Sequence, residues 1–410
     1  MKAPYRYLLG IGIGLAAGLV LGGGDRLFDA VGVVAEITHR LGLYLLLPLV
    51  FFSLPIAVTR LRRIGKLGGV LWKAAVYAVI SGAVFALLGT LAAWFIGFGR
   101  IPVIPGTAPE IETSGLVDLI RNTVTRNGFR TLVGDSSFLL PIMVPAFLLG
   151  WHFHHDREIS EPAYNLFDSL SRLIYRANRY LLILMPGFLA VFTTGVVLGI
   201  RRIVDFQRFL PMLGILMGIT LVLVVGVYPL ILWLAGGRKS PWRAMKGMSG
   251  ALLGAAVSAS PLFNYGNLSM HLKENLNISR QNAALTAPTY LMFARAGTAM
   301  VTAFCMMTVI RSYSSLEITL FQAAWTALFS FLISFALPAA PVNGLAGALI
   351  MMGGLYGRGL DDGWLILAPI LPILFMMTAL LDTSTWIIMI LLLNKNCGLE
   401  EDEAVPGLRF

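Results

Sequence analysis

The sequence predicts an all-α polytopic membrane protein, and three observations carry that prediction. The 410-residue chain is 57% hydrophobic and only 13% charged, which is more apolar surface than a soluble chain of this size can hide. Apolar stretches of membrane-spanning length recur from end to end. These stretches do not alternate, as LGILMGITLVLVVGVYPLILWLAG illustrates, whereas the strands of a membrane barrel do.

Charge and cysteine usage narrow the class. The net charge of +10 is no nucleic-acid signal here, because most of the excess sits in short loops, where it sets topology. The two cysteines, Cys305 and Cys397, argue against a disulfide framework. No cofactor is expected, because no nucleotide loop, metal motif or nucleophile–base set occurs, and for the same reason the chain does not read as an enzyme. WHFHHD offers His152, His154 and His155, but their spacing suits helical metal ligation poorly.

The elements follow in order. The first span covers about 6–23; its start resembles a signal peptide, but it is long, Gly-rich and without a clear A-x-A site, so it reads as a retained helix. The second covers about 41–59 and ends in TRLRRIGK, which gathers Arg60, Arg62, Arg63 and Lys66 in one loop. The positive-inside rule puts that loop and the N-terminus in the cytoplasm. A third span covers about 68–98, followed by the Pro-rich, external-looking GRIPVIPGTAPEIETSG. Residues 110–134 read as non-spanning, 136–151 as a short apolar run, and 162–200 and 209–235 as helices. GGRKSPWRAMK is basic and cytoplasmic, whereas the basic GIRRIVDFQR falls on the external side and violates the rule locally.

The last part is less regular. Residues 244–272 are apolar but broken by SASPLFNYGN, and 317–353 are broken by LPAAPVNG. Residues 282–310 and 364–394 read as full helices. Pro and Gly at membrane depth free backbone groups that something else must satisfy. A pair of interrupted segments, one per repeat, points to a transporter's binding site. The count is eight transmembrane helices plus two re-entrant helical hairpins. Inside the 282–310 run lies PTYLMFARAGTAM, with Arg295 in its middle and no acid for a dozen residues on either side. An arginine at bilayer centre costs roughly 2.5–3.5 kcal/mol on insertion scales, so it reads as functional; a structural ion pair is the alternative.

Several stretches together resemble the glutamate/neutral amino acid and dicarboxylate:cation symporters. LYLLLPLVFFSLPIAV is similar to the family's second helix, with its MPLVFxSL core, and DSSFLLPIMVPAFLLGW to the end of the fourth. MPGFLAVF resembles APIGVF. TAPTYLMFARAGT lies on the approach to NMDGT, SFALPAAPVNG on the SIGTAGVPGAG hairpin tip, and LLDTSTW on LDMGRTMVNVTGD. The resemblance implies a homotrimer working as an elevator, with substrate held between two hairpin tips and the two C-terminal helices. It implies scaffold helices 1–2 in 1–67, transport-domain helix 3 in 68–110, scaffold helices 4–5 in 111–206, and the remaining transport domain in 207–410. The charge pattern in turn suggests an inner membrane, with both termini expected to be cytoplasmic.

Carried over position by position, the resemblance gives Asp382 the substrate ammonium. Thr385 stands where acidic-substrate members have an arginine, and Trp386 replaces a small polar residue; both fit a small neutral side chain. Arg295, Thr298, and the tip residues Ser258, Ser260, Ser334, Pro341, Asn343 and Gly344 complete the expected substrate site, with simple turn chemistry as the alternative for the tips. The cation-site remnants are Tyr77, Ser81, Ala294, Ala296 and Met389. So few side-chain oxygens remain that sodium coupling is expected to be lost or reduced, by analogy with the oxygen demand of other hard cations. Arg295 then reads as a built-in positive charge standing in for a bound cation. The leading expectation is a carrier for an alanine-like amino acid. The alternatives are an acidic amino acid or dicarboxylate symporter using Arg295 for the distal carboxylate, and a non-transporting sensor or anion pore.

Overall fold

The computed structural model describes residues 3–21, 24–96, 99–101, 139–153, 157–236, 241–314, 317–336, 344–357 and 359–399. Among these the chain is helical, with no strand. The helices are α1 (Ala3–Val20), α2 (Asp25–Leu43), α3 (Leu46–Arg63), α4 (Leu67–Phe95), α5 (Leu140–His152) and α6 (Arg157–Arg201). After a 3-10 turn, Phe206–Phe209, comes α7 (Leu210–Leu221), which winds through a π segment, Val222–Val227, into α8 (Tyr228–Gly236). Then follow α9 (Pro241–Ser258), α10 (Tyr265–Leu276), α11 (Arg280–Phe293), α12 (Ala296–Tyr313), α13 (Leu320–Ala336), α14 (Gly344–Tyr356) and, after a 3-10 segment, α15 (Leu371–Asn396).

Six segments among the described residues are long and apolar enough to cross a membrane: Asp25–Arg63, Leu67–Phe95, Ile159–Arg201, Phe206–Ala235, Arg280–Tyr313 and Gly363–Asn396. The second span thus starts well before residue 41. Asp25, Arg26, Asp29, Glu36 and Arg40 dilute the hydropathy of α2 and hid its helix from a composition reading. The expected helix over 282–310 is not continuous either; it breaks at Ala294–Arg295. That pair of half-helices is the centre of the molecule. Of its most apolar window 89% is buried, against 33–56% in the other five segments, so it faces protein rather than lipid.

Two groups of helices surround that centre. In one, α1 lies along α6, and α3 packs on α5 and α6. Gly10 and Gly14 let α1 approach closely: a Cβ there would stand 2.1 Å from the Pro186 carbonyl oxygen and 2.4 Å from that of Ala190. In the other, α4 packs on α12 and α13, and α15 on α12 and α9. Helices α9 and α10 lie side by side as the first interrupted segment. A polar ladder runs along α10. Asn264 Nδ2 donates to the Ala251 carbonyl (2.8 Å), Asn267 Nδ2 to Asn264 Oδ1 (3.0 Å), and Tyr7 of α1 to Asn267 Oδ1 (3.0 Å). His271 is buried beside this ladder, its Nδ1 2.7 Å from Asn275 Nδ2.

A hydrogen-bonded seam joins the two groups. Helix α6 presents Asp168, Ser171, Tyr175 and Asn178 at helical spacing on one face. Arg280 donates to Asp168 Oδ1 (2.6 Å) and Ser171 Oγ (2.9 Å), Tyr175 to the Ser269 carbonyl (3.4 Å), and Asn178 to the Gly266 carbonyl (3.0 Å).

The loop charges also find partners. Arg201 donates to the Gly18, Leu19 and Leu21 carbonyls at the end of α1. Arg202 pairs with Asp25 at 2.8 Å and lies over the Phe28 ring. The positive charges that violate the topology rule are therefore used in capping a helix end and in an ion pair. At the opposite end, Lys66 donates to the Gly398 carbonyl, Lys73 to that of Asn396 and Lys395 to that of Ala235, each at 2.7 Å. The basic α3–α4 turn and the end of α15 thus share one face of the molecule.

Candidate functional site

The site is built on the break between α11 and α12. Ala294 (φ −114°, ψ 69°) and Arg295 (φ −97°, ψ 55°) leave the helical region, although no Pro or Gly stands at either position. A break in a buried helix leaves carbonyls at one side and N–H groups at the other, and an unmet buried polar group costs roughly 1–3 kcal/mol. Helix α15 supplies both missing partners. Asp382, 1% exposed, accepts from the Gly297 N–H (2.7 Å), the Thr298 N–H (3.2 Å) and the Thr298 hydroxyl (2.7 Å). Its carboxylate sits at the N-terminus of α12, where a helix dipole favours negative charge. One turn later, Trp386 Nε1 donates to the Ala294 carbonyl at 2.6 Å.

Arg295 occupies the break itself. Its Nε is sealed from solvent with no hydrogen-bond partner, and among the described residues it makes no ion pair. Asp382 lies within electrostatic reach but is not in direct contact with the guanidinium. A carboxylate has about four acceptor positions, and Asp382 uses three. An acceptor position of Asp382 and the sealed Nε of a half-buried Arg295 are thus left over at the same break.

Thr385 is the third α15 side chain on this face. Its hydroxyl donates to the Leu381 carbonyl (2.7 Å), so Tyr228 from α8 is the donor in their 2.6 Å bond. Tyr228 is buried and stacked on Phe85 of α4. Tyr228 was not legible beforehand; a lone hydroxyl before a Pro in an apolar run was its one signal. Gly297 was likewise unassigned. A Cβ there would stand 2.4 Å from Leu381 Cβ and 3.0 Å from Asp382 Oδ1, so only glycine lets α12 meet α15 this closely.

The remaining expected residues divide. Ala294 and Ala296 are fully buried in the break. Ser81 Oγ lies 3.6 Å from Met389 Sδ and bonds the Ala78 carbonyl, so serine and methionine face each other where the family resemblance implied cation ligands. The Tyr77 hydroxyl accepts from Asn396 Nδ2 (2.6 Å), near the end of α15. At the first tip, Ser258 Oγ and Ser260 bond one another, and Ser260 Oγ accepts from the Phe263 N–H at 3.3 Å. Between them Ala259 has φ +53°, a left-handed conformation uncommon for a residue with a Cβ. Ser334 bonds back to the Phe331 carbonyl (2.6 Å), and Gly344 opens α14. Pro341 and Asn343 lie outside the described residues, as do His154 and His155. His152 ends α5, with Nδ1 2.8 Å from the Leu148 carbonyl, and the described residues hold no group of side chains that could bind a metal ion.

Among the described residues, the side-chain oxygens at the break are those of Asp382 and Thr298, bonded to each other at 2.7 Å, and the carbonyl that the break frees is bonded to an indole N–H. No curated protein matches the chain significantly in sequence. The profile of the sodium:dicarboxylate symporter family matches residues 4–395, nearly the whole chain. With apolar helices of membrane-spanning length and a broken helix at its centre, this chain is an integral membrane protein belonging to the sodium:dicarboxylate symporter family.

Proposed function

We propose that the protein is a secondary carrier for a small neutral amino acid, with sodium coupling lost or reduced. The observation that carries this reading is the pair at the break: a half-buried Arg295 whose sealed Nε has no partner among the described residues, near an Asp382 with an acceptor position to spare. A zwitterion supplies the complement to both, its carboxylate for the guanidinium and its ammonium for Asp382. Arg295 also contributes, permanently, the positive charge that a coupled cation would bring. Trp386 fills the space beyond Asp382, and Tyr228 holds Thr385, which favours a side chain of alanine or serine size.

Transport itself is proposed as an elevator motion within a homotrimer of an inner membrane. The scaffold would be 1–67 and 111–206, and the moving unit 68–110 and 207–410. The packing of α1 on α6 and of α4 on α12 and α13 agrees with this division. The shared face of the α3–α4 turn and the end of α15 supports a cytoplasmic C-terminus.

A second reading makes the substrate an acidic amino acid or dicarboxylate, with Arg295 on the distal carboxylate. It is favoured by the family's description and by the Nε of that guanidinium, which has no partner among the described residues. Radiolabelled alanine uptake into proteoliposomes, with and without a sodium gradient and with unlabelled aspartate as competitor, separates the two. Uptake that ignores sodium and resists aspartate supports the neutral carrier. Efficient competition by aspartate supports the second reading, and steep sodium dependence removes the stand-in role of Arg295.

A further inference from the structure

Helix α15 closes both ends of the α11–α12 break with side chains one turn apart, an acceptor on the positive end and a donor on the negative end. The acceptor, Asp382, is a familiar kind of helix-end partner. The donor is the less expected half. Ala294, 1% exposed, has lost helical continuity, because the Thr298 N–H that a continuous helix would give its carbonyl donates to Asp382 Oδ1 at 3.2 Å instead. Its own carbonyl points into the core and meets Trp386 Nε1–H at 2.6 Å. In transporters with discontinuous helices, unwound carbonyls and the C-terminal ends of half-helices are where monovalent cations are coordinated. Indole N–H is a donor with no acceptor function, so it matches what a carbonyl asks of a cation. Trp386 is 1% exposed and fixed by packing, which makes this partner permanent.

We infer that Trp386 is a positioning residue that takes the place of a bound cation at the C-terminal end of the α11 half-helix. Its N–H holds the Ala294 carbonyl and thereby presents the next residue, Arg295, in its place without an ion. This rests on the reading of a sodium-indifferent carrier and goes beyond it, because it says which side chain replaced the ion at the backbone.

The test is thermal unfolding of the purified full-length protein, in choline chloride against sodium chloride at equal ionic strength and without substrate. Trp386→Phe removes the N–H and keeps an aromatic ring; Trp386→His keeps a ring N–H. The wild type is expected to unfold at the same temperature in both salts. Trp386→Phe is expected to unfold lower in choline and to regain stability as sodium is raised, while Trp386→His stays closer to the wild type and less responsive to sodium. A Trp386→Phe protein as indifferent to sodium as the wild type overturns the inference and leaves the proposed function standing. A wild type that sodium itself stabilises overturns the proposed function instead. Should Trp386→Phe not fold, Trp386→His decides: a folded, sodium-indifferent protein supports the role of the N–H, and failure to fold in both overturns it.

Discussion

Tyr228 and Thr385 share a 2.6 Å hydrogen bond between α8 and α15, in which the tyrosine donates and the threonine hydroxyl donates in turn to the Leu381 carbonyl. The bond fixes the one hydroxyl that follows Asp382 on its face of the helix. Tyr228→Phe and Thr385→Val are each expected to cost about 1 kcal/mol of stability and to weaken discrimination among neutral amino acids. Because both remove the same bond, the double variant is expected to be little worse than the worse single one. A double-mutant cycle on thermal stability checks this, and full additivity would show that the bond is not shared.

Arg295→Met is expected to abolish uptake without lowering stability. A half-buried charge with no ion pair among the described residues supplies little stability, so its removal orphans no described group. Uptake and thermal unfolding measured on the same preparation decide it. Normal transport by this variant would end the functional reading of Arg295.

Asp382→Asn is expected to act on stability as well as on transport. The carboxylate holds three donors at the start of α12, and charge-assisted bonds contribute roughly 1.5–3 kcal/mol each. The amide keeps the shape but replaces an acceptor oxygen with a donor nitrogen. A loss of at least ~2 kcal/mol together with loss of uptake is expected, read by denaturant unfolding and the proteoliposome assay.

Gly297→Ala tests the close approach of α12 to α15. A methyl 2.4 Å from Leu381 Cβ and 2.8 Å from the Asp382 backbone nitrogen forces the helices apart. Overpacking of this kind costs typically 1–3 kcal/mol, and it displaces Asp382 from the half-helix it caps. Wild-type uptake and stability in Gly297→Ala would mean that the contact is looser than described.

The seam along α6 bears on the proposed motion. If the two helix groups slide past one another, the Arg280–Asp168 pair, whose side chains are only 15% and 18% exposed, must open in every cycle. Asp168→Asn is expected to raise the uptake rate at saturating substrate while leaving the half-saturating concentration unchanged. An unchanged rate would place the seam outside the transport cycle.

Legibility from sequence varied with the physics behind each feature. The first interrupted segment was visible because Ser, Pro, Asn and Gly punctuate SASPLFNYGN, where α9 gives way to α10; the second interruption, LPAAPVNG, lies almost wholly outside the described residues. The break at Ala294–Arg295 was not visible as a break. Its residues are compatible with a helix, and what holds them apart is a carboxylate and an indole about 90 positions away. The basic GIRRIVDFQR loop looked anomalous because a charge count cannot see that Arg201 is spent on the carbonyls of α1.

The sequence by itself determined that the chain is helical and lies in a membrane, since composition and run length depend only on what lipid will accept. It also determined where the unusual residues stand, Arg295 and Asp382 above all, because a charge in an apolar run is conspicuous whatever surrounds it. Tertiary structure alone decided that these two charges do not pair, that Trp386 and Asp382 cap one helix break from opposite ends, and that Tyr228 takes Thr385. Each is a hydrogen bond between elements far apart in the chain, so it follows from how the helices pack and leaves no periodicity or spacing to read.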